Sequence, residues 1–276
     1  MKIILFVNLL IFCFAINLIA QTASNADLLN GIGFIGTKTY TEAENVEVLK
    51  MYEELRVADV SDGMDYVGLS KVGLVDMSIH PDWTNTDDLS HVFRGIALTV
   101  RFVPTQRSLF PEPNRPYREW EGEFYNKYSA EPFTNIIQKG SAIMIDDDEY
   151  GDIGSIGSYN ILDWYKHGAV GVVTDAASRD TDEIAKEKVP LYLRKKGRGI
   201  RPGRNELESV NKPIVIGGVL VCPGDVVVAD GDGVIVVPRK VAKEVAEFAH
   251  MILDADKKGR TQLYKDLNME PDQTVN

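Results

Sequence analysis

Cysteine is scarce in this chain: its 276 residues hold two, Cys13 and Cys222. The first lies in an apolar leader, so the remainder can form no intrachain disulfide, no cysteine-based zinc site and no dithiol redox pair. Cys222 sits between Val221 and Pro223 in a strand-like run and is expected to be a buried structural thiol. Basic residues are also in the minority, 30 Lys and Arg against 41 Asp and Glu, for a formal charge of −11. Nonspecific nucleic-acid binding needs basic patches that displace counterions, so no nucleic-acid partner is expected. Beyond the leader no run is apolar enough to span a bilayer. No glycine-rich nucleoside motif follows an early strand, so nothing implies a cofactor for methyl transfer.

The leader, Met1 to Ala20, carries one charge, Lys2, ahead of the apolar run Ile3 to Phe14. Leu18-Ile19-Ala20 before Gln21 offers a small residue for cleavage, with Ala26 as a later candidate. Asn8 and Asn17 interrupt the run and no basic flank follows, so it reads as a secretory signal peptide, residues 1–20, rather than a membrane anchor. An uncleaved amphipathic anchor is the alternative. The expected setting is secreted or periplasmic, with a leader at 21–40, one domain at 41–265 and a tail at 266–276.

Within the domain, Thr41 to Leu55 predicts a surface helix, with Thr41 and Glu44 forming a capping box. Gly95 to Val103 predicts a strand with Ile96, Leu98, Val100 and Phe102 on one face. Residues 104–136 hold Pro104, Pro111, Pro113, Pro116 and Pro132 among Trp120, Phe124, Tyr125, Tyr128 and Phe133, without a sustained period. This stretch reads as an inserted loop whose aromatics pack back on the domain or on a neighbouring subunit; a wall over a pocket is the other reading.

The centre of the chain is more specific. Ser141 to Asp147 reads as a buried strand, and the acids 146–149 that end it as a solvated strand end. Ser158 to His167 reads as a helix with Ile161, Leu162 and Tyr165 on its inner face and Gly168 as its stop, and Ala169 to Thr174 as a second buried strand. Such a unit has parallel strands and a right-handed crossover, so the loops after each strand emerge at one edge, where open α/β folds bind ligands. The loop 151–158 presents backbone N–H groups and a helix N-terminus, which suit a carboxylate or phosphate. The loop 175–183 brings Asp175, Arg179, Asp180 and Glu183 to the same edge. An arginine fork holds a carboxylate at two points, and a carboxylate holds a hard divalent cation. A solvated Arg-Asp turn beside an ordinary helix cap fits the same spacing.

Arg194 to Arg204 carries six basic residues and reads as a flexible loop, expected to make salt bridges across an oligomer interface or, through its glycines, to close over an anionic ligand. Between Pro213 and Pro238 three strand-like segments are divided by Pro223-Gly224-Asp225 and Asp230 to Gly233, which is turn chemistry. Val241 to Lys258 predicts an amphipathic helix with Val241, Val245, Phe248 and Ile252 inward.

These motifs resemble the RraA-like family, which includes the regulator of ribonuclease activity A and the divalent-metal aldolases acting on 4-hydroxy-4-methyl-2-oxoglutarate and related 4-hydroxy-2-oxo acids. Gly157 opens the helix as in that family, Arg179-Asp180-Thr181-Asp182-Glu183 completes its signature, and Lys212 to Pro238 matches its second half. The resemblance implies an α/β fold with a swivelling β/β/α domain, a homotrimer or hexamer, and a pocket at the subunit interface. It further implies Mg²⁺ or Mn²⁺ on Asp180, a small anionic 2-oxo acid held by Arg179, and substrate contacts from the backbone at Gly157 and Ser158. Arg179 and Asp180 would be the catalytic pair, and Asp254 or Asp256 the acid that reaches a neighbouring subunit's site. The implied activity is metal-dependent cleavage of a 4-hydroxy-2-oxo acid or oxaloacetate to pyruvate; a non-catalytic oligomeric binding or regulatory protein is the alternative. Two departures stand out. Ser158 occupies the place of an acid that helps to hold metal-bound water, and Asp175-Ala176 replaces the usual Asp-Gly. Asp152, in the same loop, is a candidate substitute for the missing acid.

Overall fold

The computed structural model describes residues 23–107, 115–147 and 151–275. The signal peptide expected at 1–20 and its cleavage point, like Asp148 and Glu149 of the acidic run, lie outside the described residues. Contacts divide the chain into residues 1–36 and 37–276. Among its described residues the first unit has a short helix, α1 (Asn25–Asn30), closed at its start by reciprocal Ser24 and Asp27 hydrogen bonds.

The second unit opens with α2 (Glu42–Lys50), where Thr41 and Glu44 form the expected capping box. Next comes α3 (Val57–Tyr66), whose first N–H is held by the buried Asp230 carboxylate at 2.8 Å. A mixed sheet follows, made of β1 (His80–Pro81), β2 (Phe93–Pro104), β3 (Ser141–Asp146), β4 (Gly154–Ile156), β5 (Ala169–Ser178), β6 (Leu191–Lys196), β7 (Asn205–Val210), β10 (Val226–Asp230) and β11 (Gly233–Val237). Its order is β1-β6-β5-β3-β2-β10-β11, with β4 added to β5 and β7 to β2. Strands β2, β3, β5 and β6 run parallel. Helix α5 (Ser158–Lys166) is the crossover between β3 and β5, and α6 (Thr181–Glu187) joins β5 to β6, so the predicted parallel unit is present. Parallel strands of this kind are buried on both faces, which is why β3 and β5 read as continuous apolar runs.

Three apolar clusters fill the two faces. Val48, Tyr52, Val60 and Met64 of the early helices pack with Val228, Ile235, Val245 and Ala249. Phe93, Met144 and Tyr192 pack with the separate hairpin β8 (Ile214–Ile216) and β9 (Val219–Val221). Leu98, Ile143, Leu191 and Ile184 pack with Trp164 and Phe133. The last helix, α7 (Ala242–Asp266), lies against α3 so closely that a Cβ on Gly63 would stand 2.7 Å from the Val245 carbonyl oxygen.

Several expectations are corrected. On α5 the inner face is Ile161 and Trp164, both fully buried, while Leu162 and Tyr165 are exposed. The indole is buried because its Nε1–H donates to Glu131 at 2.9 Å, so the polar atom that would penalise burial is satisfied. On α7 the inward residues are Ala242, Val245, Ala246, Ala249 and Leu253; small side chains are needed where α3 approaches, and Phe248 instead stacks on exposed Tyr66 at 5.1 Å. Residues 104–136 are not simply a loop: they contain α4 (Tyr117–Lys127) and a 3₁₀ turn (Pro132–Ile136), whose Trp120, Phe124 and Phe133 are buried on their own domain. Between Pro213 and Pro238 there are four strands in two hairpins, not three. The basic run begins inside β6, which holds Arg194 to Lys196, and charges along it are engaged within the chain: Lys196 with Asp82, Arg198 with Asp152 and Arg201 with Glu131. Cys222 is half-buried rather than fully buried.

Gly63 sets two effects against each other. Alanine gains about 1 kcal/mol of helix propensity over glycine, and overpacking costs about 1–3 kcal/mol. With backbone 2.7 Å away there is no flexible atom to yield, so Gly63→Ala lowers the urea midpoint; a raised midpoint would show that α3 and α7 separate freely.

Candidate functional site

The site is assembled by β4. This three-residue strand pairs with the end of β5, Gly154 opposite Ala177 and Ile156 opposite Ser178. The Ile156 carbonyl accepts the Arg179 N–H at 2.8 Å and the Ser178 hydroxyl at 2.9 Å. The residues following both strands are thereby fixed side by side. Gly157 is the N-cap of α5, and Asp180, in the left-handed region at φ 58°, is the N-cap of α6.

A Cβ on Gly157 would stand 2.7 Å from Asp180 Oδ2, and one on Gly154 would meet the Arg179 side chain at 2.7 Å. Both glycines are therefore spaces occupied by the motif's own side chains. The Ser158 N–H points to Asp180 Oδ2 at 3.4 Å, Arg179 Nε lies 3.7 Å from the same oxygen, and the Ser158 hydroxyl donates to Glu183 Oε2 at 2.5 Å. Gly157, Ser158, Arg179, Asp180 and Glu183 thus form one cluster at the edge where the parallel strands end. Arg179 and Asp180 are each roughly two-fifths exposed, so the pair stays open to a ligand.

Asp152 and Asp175 do not join it. Asp152 faces Arg198, whose backbone and side-chain N–H groups both reach its carboxylate at 2.8 Å and hold it below the usual range. Asp175 belongs to β5 itself rather than to a loop, and its Oδ1 faces the Asp147 N–H at 3.4 Å. Asp254 is exposed on α7, while Asp256 pairs with Arg56 at 3.0 Å.

The donors at the cluster are all oxygens: the Asp180 and Glu183 carboxylates and the Ser158 hydroxyl. Among the described residues no group of three or more His, Cys, Asp or Glu side chains is arranged around an ion position. Such a set fits Mg²⁺ or Mn²⁺ as hard cations held by one or two carboxylates, with water and substrate completing the shell. The room kept by Gly157 beside Asp180 Oδ2 agrees with that fit.

Sequence reasoning missed two buried networks beside this cluster. Asp147 accepts from the Ser155 hydroxyl and, at 2.7 and 2.9 Å, from Asn205 Nδ2, which ties β3, β4 and β7 together. Glu131 accepts from Asn160 Nδ2 and Trp164 Nε1 at 2.9 Å and from Arg201 Nη1 at 2.5 Å. Glu131 lies 29 to 70 residues from its partners and Asp147 58 from Asn205, so these pairings carry no local sequence signal. A groove lined by Leu49, Lys50, Phe93, Arg94, Lys139 and Tyr165 opens at the starts of the parallel strands, the edge away from the cluster.

Burial, and then the Asp146 carboxylate, push the Asp175 carboxyl up to about 7. The folded chain therefore holds this proton more tightly than the unfolded chain. The resulting stability is complete below about pH 4 and is lost as pH rises through about 7. Calorimetry should show Asp175→Asn gaining Tm relative to the native protein as pH goes from 4 to 8; a constant difference across that range would mean that Asp175 titrates as an ordinary carboxylate.

Comparison with known proteins agrees with this architecture. The model of the RraA-like family, described as Aldolase/RraA, matches residues 57–236. Protein DlpA of Legionella pneumophila is 28% identical over 192 residues, 68% of this chain and 27% of that protein. A Halalkalibacterium halodurans protein provisionally named as a 4-hydroxy-4-methyl-2-oxoglutarate aldolase is 35% identical over 83 residues, 30% of this chain and 39% of that one. The chain thus spans less than half the length of these curated relatives. Among solved structures, a Pseudomonas syringae pv. tomato protein superposes with a TM-score of 0.62 at 24% identity, covering 88% of this chain and 97% of its own. RraAS2 of Streptomyces coelicolor, described as an unusual member of the RNase ES inhibitor RraA family, gives 0.64 at 20% identity, covering 78% and 98%. At these identities the structures speak for the fold alone, whereas the family model covers more than half of the chain. The chain belongs to the RraA-like family.

Proposed function

We propose that this chain is a divalent-metal-dependent lyase that cleaves a 4-hydroxy-2-oxo acid or oxaloacetate to release pyruvate. The observation that carries the reading is the packing of Arg179, Asp180 and Glu183 against the side-chain-free N-cap of α5. The family contains aldolases as well as inhibitors, and one relative bears an aldolase name.

Arg179 holds the 2-oxo acid's carboxylate or keto oxygen through its guanidinium N–H groups. The N–H groups at the start of α5 receive the other end of the anion; those of Gly157 and Ser158 lean on Asn160 and Asp180 at 3.4 Å, long contacts that a ligand can replace. Asp180, supported by the Ser158 N–H, is the cation ligand, and a divalent cation there supplies a Lewis acid for the negative charge that develops on the 2-oxo oxygen as the carbon–carbon bond breaks. In aldol cleavage the 4-hydroxyl must lose a proton. Glu183, linked to the Ser158 hydroxyl, is the carboxylate beside the site that takes it. Oxaloacetate loses carbon dioxide and needs no such acceptor, so it tolerates serine at 158 more readily.

The same reading makes the mature protein a homotrimer or hexamer that is secreted or periplasmic, on the strength of the family and of the leader. Outside the cytoplasm it would not meet a cytoplasmic ribonuclease. Ser158 in the place of an acid favours a second reading, a non-catalytic binding protein.

Pyruvate release by the purified mature chain, coupled to lactate dehydrogenase and run with Mg²⁺, Mn²⁺ or chelator, separates the two. The lyase reading expects turnover that chelator abolishes and that Arg179→Ala and Asp180→Ala each reduce by about 100-fold or more. Absence of turnover in a protein that still binds oxalate would overturn it in favour of the binding protein.

A further inference from the structure

Arg201 is buried at 2% exposure, with its guanidinium 4.4 Å over the Phe102 ring. One edge of that guanidinium is accounted for: Nη1 donates to Glu131 Oε1 at 2.5 Å and to the Ser129 carbonyl at 3.4 Å. The other edge is not. Nε and Nη2 are both buried and have no hydrogen-bond partner among the described residues. An enclosed guanidinium donor without a partner keeps its full desolvation penalty, so two on one side chain call for a ligand.

The identity of the two atoms says what that ligand is. Nε–H and Nη2–H form the fork that takes both oxygens of a carboxylate. Arg56 uses this same pair on Asp59 in this protein, with Nε to Oδ2 at 2.8 Å and Nη2 to Oδ1 at 2.7 Å. In Arg201 neither atom of the fork has such a partner among the described residues, and a carboxylate is the group whose geometry would satisfy both.

Arg201 also stands beside the candidate site. Glu131, its partner, binds Asn160 Nδ2, and Asn160 Oδ1 accepts the N–H of Gly157 at 3.4 Å. The segment before Arg201 lies along β4: Gly154 N–H donates to the Gly199 carbonyl at 2.9 Å, while the Arg179 side chain covers Gly154. Both arginines therefore flank one three-residue strand. Half-buried Tyr125 of α4 lies within electrostatic reach of both.

We propose that Arg201 is a second anion anchor, whose Nε/Nη2 fork receives the distal carboxylate of a dicarboxylic acid that Arg179 holds at its other end. The residue then determines specificity for dianionic over monoanionic acids. Its role deepens the lyase reading but is tested by binding, so turnover is not needed. Lysine keeps the charge at 201 and loses the planar fork.

Calorimetric titration of the full mature chain with malonate, succinate and glutarate, against acetate, propionate and butyrate, reads the preference directly. In the native protein at least one dicarboxylate binds tenfold or more tightly than every monocarboxylate. Arg201→Lys brings that ligand down to the monocarboxylate level, leaves monocarboxylate affinity unchanged and keeps the native Tm within a few degrees. Native protein that binds the two series equally overturns the proposal whether or not the variant folds, and so does a folded Arg201→Lys that keeps the preference. Arg179→Ala should weaken both series; if it weakens neither while Arg201→Lys acts as expected, the lyase site is misassigned and the Arg201 anchor stands.

Discussion

Everything at the candidate site depends on one carbonyl oxygen. Ile156, the last residue of β4, accepts the Arg179 N–H and the Ser178 hydroxyl together, which locks the ends of β4 and β5 at a fixed offset. With that offset set, the chain after β4 must turn directly into α5 and the chain after β5 into α6. The two turns then share a space too small for another side chain. Gly157 is the residue that yields it, since any Cβ there would fall 2.7 Å from Asp180 Oδ2. Asp180 accepts a left-handed backbone, which costs an aspartate less than a bulky or β-branched residue, and so its carboxylate turns back toward the start of α5.

Charge is organised more finely than the composition implies. A formal charge of −11 would repel an anionic substrate at long range, but screening confines that repulsion to about 8 Å at physiological salt. Within that radius local cations decide. The basic run that follows β6 lies next to β4, and several of its members are neutralised in place: Lys196 by Asp82, Arg198 by Asp152 and one edge of Arg201 by Glu131. Among the described residues Arg179 is balanced only by Asp180 at 3.7 Å, a loose contact for an ion pair. An incoming carboxylate therefore meets an arginine whose hydrogen-bonding capacity is not already spent, which suits a site that must bind and release small anions.

What could be read from the sequence was whatever rests on neighbours in the chain. The Thr41/Glu44 cap and the strand-helix-strand unit follow from spacing, capping chemistry and apolar runs, and the structure has them. The five residues from Gly157 to Glu183 that cluster lie in one motif. Which side of α5 faces inward was misread, because Ile161, Leu162 and Tyr165 have helical spacing as good as that of Ile161 and Trp164. The choice rests on Glu131, 33 residues earlier, which satisfies the indole N–H. The helix α4 was hidden because prolines surround it and its apolar period is short, with Trp120 and Phe124 as its two buried residues. Asp175 and Asp152 were grouped with the site by proximity in sequence. In a strand successive side chains point to opposite faces, and a free carboxylate turns to the nearest cation, so nearness along the chain did not place them.

Serine at 158 is the departure that bears most on chemistry, and the structure gives it a physical reading. A carboxylate at that position would stand at the first turn of α5, close to Asp180 and Glu183, adding a third negative charge to a pair already held near each other. Serine removes that repulsion while keeping a polar contact, because its hydroxyl donates to Glu183 and its N–H points to Asp180. A hydroxyl both donates and accepts, so it can pass on a proton that it does not keep. Under the lyase reading the carboxylate that serves the proton is Glu183 on α6, reached through the Ser158 hydroxyl, rather than an acid at the start of α5. That displacement lengthens the path of a proton and leaves the cation ligand and the anion-binding turn where they were, so decarboxylation, which needs only the latter two, is the chemistry least affected by the exchange.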